Sequence, residues 1–187
     1  MSQLDSTVKQ LRSLSLTAAA SQLATLVAKA EANEISYLGF VQSLAEHELV
    51  QRNVNRIQRH FKQAQFPSEK RLDQFDYRHQ TTVTKRQISG LLDFSFIDER
   101  QNLIFIGPPG VGKTHLAIGI GHEAIQAGYK VLFKSALALV EELELAEMKG
   151  ELKKRLTQLS KYDVLIIDEL GCLPMSRQSR YNLFQLI

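Results

Sequence analysis

The sequence predicts a small all-α domain followed by a larger α/β domain, in which helices cover both faces of a parallel sheet. Residues 1–65 contain no proline and one glycine, and their apolar residues recur at helical spacing. From residue 102 onward, short apolar runs alternate with segments of helical pattern, which is typical of a parallel sheet with helical crossovers. We therefore expect a helical domain at 1–66, a linker at 67–98 and the α/β domain at 99–187.

Two helices are expected in the first half of the N-terminal domain. The break between them is predicted at Asn33–Ser36, and Ser36 is a suitable N-cap for a second helix that ends at Leu44. The first helix is predicted from apolar residues that repeat along one face, namely Leu16, Ala20, Leu23, Val27 and Ala30.

A third helix, Glu46–Ala64, is predicted to be amphipathic. Its arginines, Arg52, Arg56 and Arg59, are displaced by two residues from its apolar stripe, which places them on the opposite face. Residues 51–87 contain nine Lys/Arg and three Asp/Glu, an excess that favours a polyanionic partner such as nucleic acid. Two interpretations of the arginines stay open: contacts to DNA phosphates, or a solvated helix face. The apolar stripe consists of Val50, Val54, Ile57 and Phe61.

The α/β domain is predicted to contain three strands and four helices, with a short helix at Ser89–Phe96 leading into it. The runs Leu103–Ile106 and Asp163–Asp168 are apolar, as expected for strands buried on both faces of a sheet, and Lys130–Ser135 is the other strand. The predicted helices are Gly112–Ala127, Ala136–Met148, Glu151–Leu159 and Ser176–Ile187.

The segment GPPGVGKT, Gly107–Thr114, matches the pattern G-x-x-x-x-G-K-[ST] between a predicted strand and a predicted helix. Its glycines let the backbone aim N–H groups at phosphate oxygens, and the following helix directs its positive dipole end to the same anion. Lys113 supplies a charge to the β- and γ-phosphates, and Thr114 supplies a hydroxyl to Mg²⁺. The pattern predicts an ATP-binding P-loop NTPase domain. The residues expected to contact the nucleotide are Gly107, Pro108, Pro109, Gly110, Val111, Gly112, Lys113, Thr114 and His115.

Two adjacent acids, Asp168 and Glu169, end the apolar run VLIID. Acids that follow a buried strand are costly unless they meet a cation or serve a reaction. In a P-loop protein the first holds Mg²⁺, and the second orients and polarises the attacking water. We expect these roles for Asp168 and Glu169, with an ordinary strand-to-loop junction as the alternative.

Phe75 and Tyr77 are apolar anchors in the otherwise polar linker. They are candidates for packing near the adenine, and domain-junction packing is the alternative. His115, which follows the P-loop, has packing as its alternative role. The single cysteine, Cys172, excludes an internal disulfide, and the chain shows neither a signal peptide nor a run long enough to span a membrane, so a cytoplasmic protein is expected.

The residues GPPGVGKTHLA (Gly107–Ala117) and LIIDELG (Leu165–Gly171) resemble those of the IstB-like group of AAA+ ATPases. The helical N-terminal domain and the LDQFDY stretch (Leu72–Tyr77) are also similar to that group. The group includes the ATPase subunits of insertion-sequence transposition and the related DnaC-type helicase loaders. The resemblance implies a three-layer αβα AAA+ core behind the helical domain.

For the transposition helpers, the resemblance implies ATP-dependent assembly on DNA through backbone contacts, homo-oligomers, and stimulation of a partner transposase. It assigns phosphate and catalytic roles to Lys113, Mg²⁺ binding to Thr114 and Asp168, and the hydrolytic base to Glu169. It also brings Phe75 and Tyr77 near the nucleotide.

The sequence departs from this group because it stops one helix after the acid pair. In AAA+ folds the next strand lies between the P-loop strand and the acid-bearing strand and carries a polar sensor residue, and an arginine finger follows. The core is therefore expected to be incomplete at its C-terminal side or rearranged, with weak or absent ATP hydrolysis by this chain alone. Two alternatives to a transposition helper remain: a helicase loader, and a non-hydrolysing ATP-binding module.

Overall fold

The computed structural model describes residues 2–78, 82–172 and 175–186. The chain divides into two compact units, Met1–Gln58 and Arg59–Ile187. This division falls earlier than the domain boundary expected at residue 66, because the third helix runs from one unit into the other. The predicted helix end at Ile187 lies outside the described residues.

The first unit consists of helices. Helix α1 spans Gln3–Ser13, α2 spans Thr17–Ala32, and α3, which continues into the second unit, spans Tyr37–Ala64. The hydroxyl of Ser36 accepts a hydrogen bond from Gly39 N–H at 3.2 Å, as expected of an N-cap. The predicted interruption between Leu44 and Glu46 is wrong, because the residues there are strong helix formers and α3 continues through them.

Helix α2 is capped from a distant part of the chain. Its own N-cap residue, Leu16, makes no side-chain hydrogen bond to the helix. Instead, Oε2 of Glu48 on α3 accepts hydrogen bonds from Ala18 N–H at 2.9 Å and Ala19 N–H at 3.0 Å. Glu48 is buried, and its other oxygen accepts from Arg52 Nε at 2.8 Å. One carboxylate therefore satisfies the unpaired N–H groups of α2 and joins it to α3.

After the end of α3, the second unit continues with short helical segments. A 3₁₀ turn at Leu72–Gln74 is followed by α4, Lys85–Gly90, a 3₁₀ turn at Leu91–Asp93, and α5, Ser95–Asp98. The single helix predicted at Ser89–Phe96 is therefore wrong. Phe94 adopts a left-handed conformation with φ of 59°, which ends one segment and starts the next.

The α/β part contains α6 (Lys113–Ala127), β1 (Val131–Ser135), α7 (Ala136–Met148), α8 (Leu152–Leu159), β2 (Val164–Asp168) and α9 (Arg177–Phe184). Strands β1 and β2 pair in parallel, from Val131 opposite Val164 to Ser135 opposite Asp168. Gly128, with φ of 109°, ends α6, as predicted. The carboxyl ends of both strands therefore lie at one edge of the sheet.

Leu103–Ile106 was predicted to be a strand, and this prediction is wrong. Within the described residues these four belong to neither strand, and Ile104 and Ile106 are 78% and 91% exposed. A strand needs a ladder partner. In the described sheet β2 pairs with β1 and not with Leu103–Ile106, so these residues have no strand to pair with. For the same reason β2 is half-buried along its length rather than buried on both faces.

Two apolar clusters hold the second unit together. One lies between the sheet and helices α7, α8 and α9, and the other lies under α6, where the linker and Phe105 pack against it. Among the residues described, no helix is long and apolar enough to cross a bilayer. The buried members of the first cluster are Leu132, Leu139, Leu143, Leu159 and Leu183, and those of the second are Ile88, Leu116 and Ile120.

Candidate nucleotide site

The glycine-rich loop at residues 107–112 has the backbone conformation that a phosphate cradle requires. Gly110 and Gly112 have φ of 83° and 89°, in the left-handed region that favours glycine. Helix α6 begins directly afterwards, at Lys113, and lacks a side-chain cap. Its first N–H groups therefore have no intrahelical acceptor and can bind an anion.

The side chain of Lys113 folds over this loop. Its Nζ donates hydrogen bonds to the carbonyl oxygens of Gly107 at 2.9 Å and Pro108 at 2.8 Å. These contacts hold the ammonium group at the loop, where it can serve phosphate oxygens in place of the two carbonyls.

Thr114 and Asp168 meet at the edge of the sheet. The Thr114 hydroxyl lies 3.0 Å from both carboxylate oxygens of Asp168. Thr114 is in the first turn of α6 and Asp168 is the last residue of β2, so the parallel sheet brings together two residues that are far apart in sequence. A hydroxyl and a carboxylate are the hard oxygen ligands that Mg²⁺ prefers when it keeps several waters. The residues present therefore fit a nucleotide-bound Mg²⁺.

Glu169 stands beside this pair in a left-handed conformation, with φ of 60°. Its N–H donates to Asp168 Oδ1 at 3.1 Å, and its side chain is exposed. Positive φ is uncommon for a residue other than glycine and occurs often at functional sites. The local backbone thus separates the two acids, with Asp168 bound to Thr114 and Glu169 open to solvent.

The linker residue Phe75 packs directly on the loop. Its ring lies against Gly112, where an added Cβ would come within 2.5 Å of Phe75 Cε2. Edge-to-face contacts join Phe75 to Tyr77, with ring centroids 4.7 Å apart, and to His115, at 5.2 Å. Burial raises the pKa of Tyr77. The structure therefore places Phe75, Tyr77 and His115 together at the start of α6.

Sequence reasoning missed two contacts that anchor the linker to α6. A ring nitrogen of His115, Nε2, lies 2.8 Å from the carbonyl oxygen of Arg71, and the side chain of Leu72 covers Gly119. Glycine at position 119 inside a helix was the available signal, because such a glycine often marks close packing.

The three arginines of the predicted basic stripe, Arg52, Arg56 and Arg59, differ in their hydrogen-bond partners. Arg52 forms an ion pair with Glu48 and donates to the carbonyl oxygen of Ser15 at 2.9 Å, so it also holds the first unit together. Arg56 is exposed and donates to Asn53 Oδ1 at 2.8 Å. Arg59 is exposed and belongs to the second unit. Contact of these arginines with DNA stays a prediction.

Across the described ranges, no group of three or more His, Cys, Asp or Glu side chains is arranged to hold a metal ion. The site at Thr114 and Asp168 offers two protein ligands, which is the arrangement expected where phosphate oxygens and waters complete the shell of Mg²⁺.

Comparison with known proteins agrees with this geometry. The family model described as IstB-like ATP binding protein matches residues 7–187. A Geobacillus stearothermophilus protein named as an ATP-binding protein of insertion sequence IS5376 is 43% identical over 174 residues, 93% of this chain and 69% of that protein. Its counterpart for IS21 in Pseudomonas aeruginosa is 37% identical, over 87% of this chain and 62% of that protein. The IS232 protein of Bacillus thuringiensis subsp. berliner is 36% identical, over 83% of this chain and 62% of that protein.

The chain thus spans between 62% and 69% of the length of these three relatives. The family match covers the P-loop, the acid pair, and the linker whose Phe75 packs on the loop. With this match and the similarity to the IS5376 protein, the chain belongs to the IstB-like ATP-binding protein family.

Proposed function

We propose that this chain is an ATP-binding helper of insertion-sequence transposition that assembles on DNA and stimulates a transposase. The observation that carries the nucleotide part is the hydrogen-bonded pair Thr114–Asp168 beside the loop held by Lys113. The names of the relatives, which refer to insertion sequences and ATP binding, support the transposition part over a helicase loader.

Each residue of the site would have a distinct task. Backbone N–H groups of the loop and of the first turn of α6 would bind the phosphates, and Lys113 would exchange its carbonyl contacts for phosphate oxygens. Thr114 and Asp168 would hold Mg²⁺, which when bound neutralises charge on the β- and γ-phosphates. Glu169, exposed beside them, would orient water and accept its proton.

We propose that turnover by this chain alone is weak. Residues 103–106, which lead into the loop, have no strand partner among the described residues, so the loop is not fixed to a rigid strand. Catalysis depends strongly on such positioning. A phosphate-release assay is expected to give only slow hydrolysis, and ordinary turnover that Lys113→Ala abolishes would contradict the proposal.

DNA assembly is tested by measuring affinity for a duplex against salt concentration, with and without Mg²⁺ and ATP. Arg56→Glu is the sharpest variant, because Arg56 is exposed and, unlike Arg52, does not pair with the buried Glu48. We expect weaker binding and a shallower salt dependence. Lys29→Glu, at an exposed position of α2, is the control with the same change in charge. Equal affinities for the Arg56 variant and the unmodified chain would remove this helix face from the DNA contact.

A further inference from the structure

A cleft of about 330 Å³ lies in the second unit, and among its lining residues only Arg59 has been considered above as a DNA contact. Arg59 and Gln63 line it from α3, Lys130 lines it from the residue before β1, and Lys161 and Tyr162 line it from the turn between α8 and β2. Three chain segments that are distant in sequence therefore meet around one cavity.

The lining of this cleft is strongly cationic. Arg59, Lys130 and Lys161 are all exposed cations, and none of the described residues that line the cleft is a carboxylate. A neighbouring acid, Asp163, accepts a hydrogen bond from Lys130 N–H at 2.7 Å, and Lys130 C=O accepts from Asp163 N–H at 2.8 Å. These two bonds, one accepted by the Asp163 carboxylate and one between main-chain groups, fix the turn that carries Lys161 relative to Lys130. The cations are therefore presented from a rigid frame.

A buried histidine is also among the residues that line this cleft. His60 lines the cleft, is only 5% exposed, and its Nδ1 has no hydrogen-bond partner among the described residues. Buried polar atoms in folded proteins nearly always have a partner. Because Nδ1 of His60 is itself buried from solvent, it is not a contact atom for a ligand, and His60 serves as a buried reporter beside the cleft.

The other polar lining residues are suited to an anion as well. Gln63 and Gln158 carry amide donors, and Tyr162 carries a hydroxyl. The amide oxygen of Gln158 accepts from Arg155 Nη1 at 2.8 Å, which leaves its amide nitrogen as the donating group. The cleft thus combines cations with neutral donors, which is the composition that binds phosphate oxygens.

We infer that this cleft binds a backbone phosphate of DNA, and that Arg59, Lys130 and Lys161 neutralise it while the amides of Gln63 and Gln158 position it. The inference rests on the proposed assembly on DNA and gives that function a second contact, formed entirely within residues 59–187. Because the recognised group is a phosphate, the contact carries no sequence preference.

The test compares two double variants of the full chain. Lys130→Ala with Lys161→Ala removes two cations from the cleft, and Lys149→Ala with Lys153→Ala removes two exposed lysines elsewhere in the same unit, so the net charge falls equally. Duplex affinity is measured from low to high salt. We expect the cleft variant to bind at least about tenfold more weakly, with a salt slope smaller by about one because one phosphate contact is lost, and the control variant to change far less.

Side-chain ¹⁵N resonances report on the cleft without any substitution of the buried His60. The His60 ring signals are expected to shift when duplex is added, and those of the exposed His47 are expected to stay. Inorganic phosphate is titrated in parallel, because a His60 shift with phosphate alone and none with DNA would assign the cleft to a free anion and overturn the DNA inference.

The remaining outcomes are distinguishable. If the chain binds DNA and both double variants bind equally well, the cleft inference fails and the proposed assembly on DNA stands. If the unmodified chain binds no DNA at any salt concentration, the proposed assembly fails and the cleft inference fails with it.

Discussion

The ring of Phe75 occupies the space beside Gly112 in which a Cβ would lie, with Cε2 only 2.5 Å from that position. Gly112 is the last residue before α6 and has φ of 89°. One glycine therefore serves two purposes: it permits the turn of the phosphate loop and it admits the linker aromatic. The linker and the glycine-rich loop are therefore in direct contact.

Replacing Gly112 by alanine is expected to lower the free energy of unfolding by roughly 1–3 kcal/mol, since it adds left-handed strain to a clash with Phe75. Chemical denaturation measures this change. Gly110→Ala is the matched control, because φ at Gly110 is 83° but an added Cβ meets nothing within 4 Å. Equal destabilisation by the two alanines would show that the Phe75 contact carries no energy.

The Phe75 contribution can be isolated by a double-mutant cycle. Phe75→Ala removes the ring, so Gly112→Ala in that background should cost only the backbone strain and become similar to Gly110→Ala. Additive effects of Phe75→Ala and Gly112→Ala would contradict the packing described here.

Glu48→Ala is expected to destabilise the chain by roughly 1 kcal/mol or more, because it removes the hydrogen-bond acceptor that caps α2. It also leaves Arg52 without its ion-pair partner. Thermal unfolding followed by circular dichroism measures the loss. Glu46→Ala, at an exposed position two residues earlier on α3, is the control and should change stability little.

The same cap predicts a dependence on pH. The hydrogen bond from Ala19 N–H, with further bonds from Arg52 and Ala18, lowers the pKa of Glu48 below its ordinary value of 4.5, although burial opposes the shift. A lowered pKa gives stability that is fully present above pH 4.5 and is lost as the pH falls through the folded value. Unfolding of Glu48→Ala should therefore show a smaller loss of stability below pH 4.5 than unfolding of the unmodified chain.

Glu142 joins β1, α7 and α8 through two cations. Its Oε2 lies 2.8 Å from Lys134 Nζ, and its Oε1 accepts from Arg155 Nε. Burial tends to raise the pKa of Glu142, but the hydrogen bonds from Lys134 and Arg155 outweigh it and leave the pKa lowered. Glu142→Gln should cost roughly 1–3 kcal/mol, because it leaves two partly buried cations without a counter-charge.

Denaturant unfolding of Glu142→Gln measures that cost, with Glu141→Gln as its control. Glu141 is the preceding residue of α7 and is exposed, so the same chemical change there should fall within about 0.5 kcal/mol of no effect. If both variants unfold at the same denaturant concentration, the ion pairs of Glu142 do not stabilise the fold.

Local features of the sequence were enough to predict most helices and the glycine-rich loop. The loop could be predicted because eight consecutive residues, 107–114, carry both its backbone requirement and its chemistry. The boundaries of α6, α7 and α8 could be predicted because Gly128 and Gly150 mark helix ends in the sequence. Both glycines have positive φ in the structure, the conformation that glycine adopts easily. Each of these features depends on residues close together in the chain.

Several of the failures involve partners that are far apart in sequence. The run Leu103–Ile106 has the composition of a buried strand, but whether it forms one depends on a neighbouring strand that its own residues do not specify. The cap of α2 was missed because Glu48 lies 30 residues from Ala18. The sequence did not decide whether Phe75 and Tyr77 pack near the adenine or at the domain junction. The contact of Phe75 with Gly112 became visible only in the structure.

The central claim is that Lys113 and its loop bind nucleotide, and the most direct measurement is titration of the chain with a fluorescent ATP analogue in the presence of Mg²⁺. The unmodified chain should bind, and Lys113→Ala should bind at least about tenfold more weakly, because a charged hydrogen-bond donor to phosphate is lost. Lys153→Ala, at an exposed position on α8, is the control and should bind like the unmodified chain. Equal affinity for the unmodified chain and the Lys113 variant would contradict the claim.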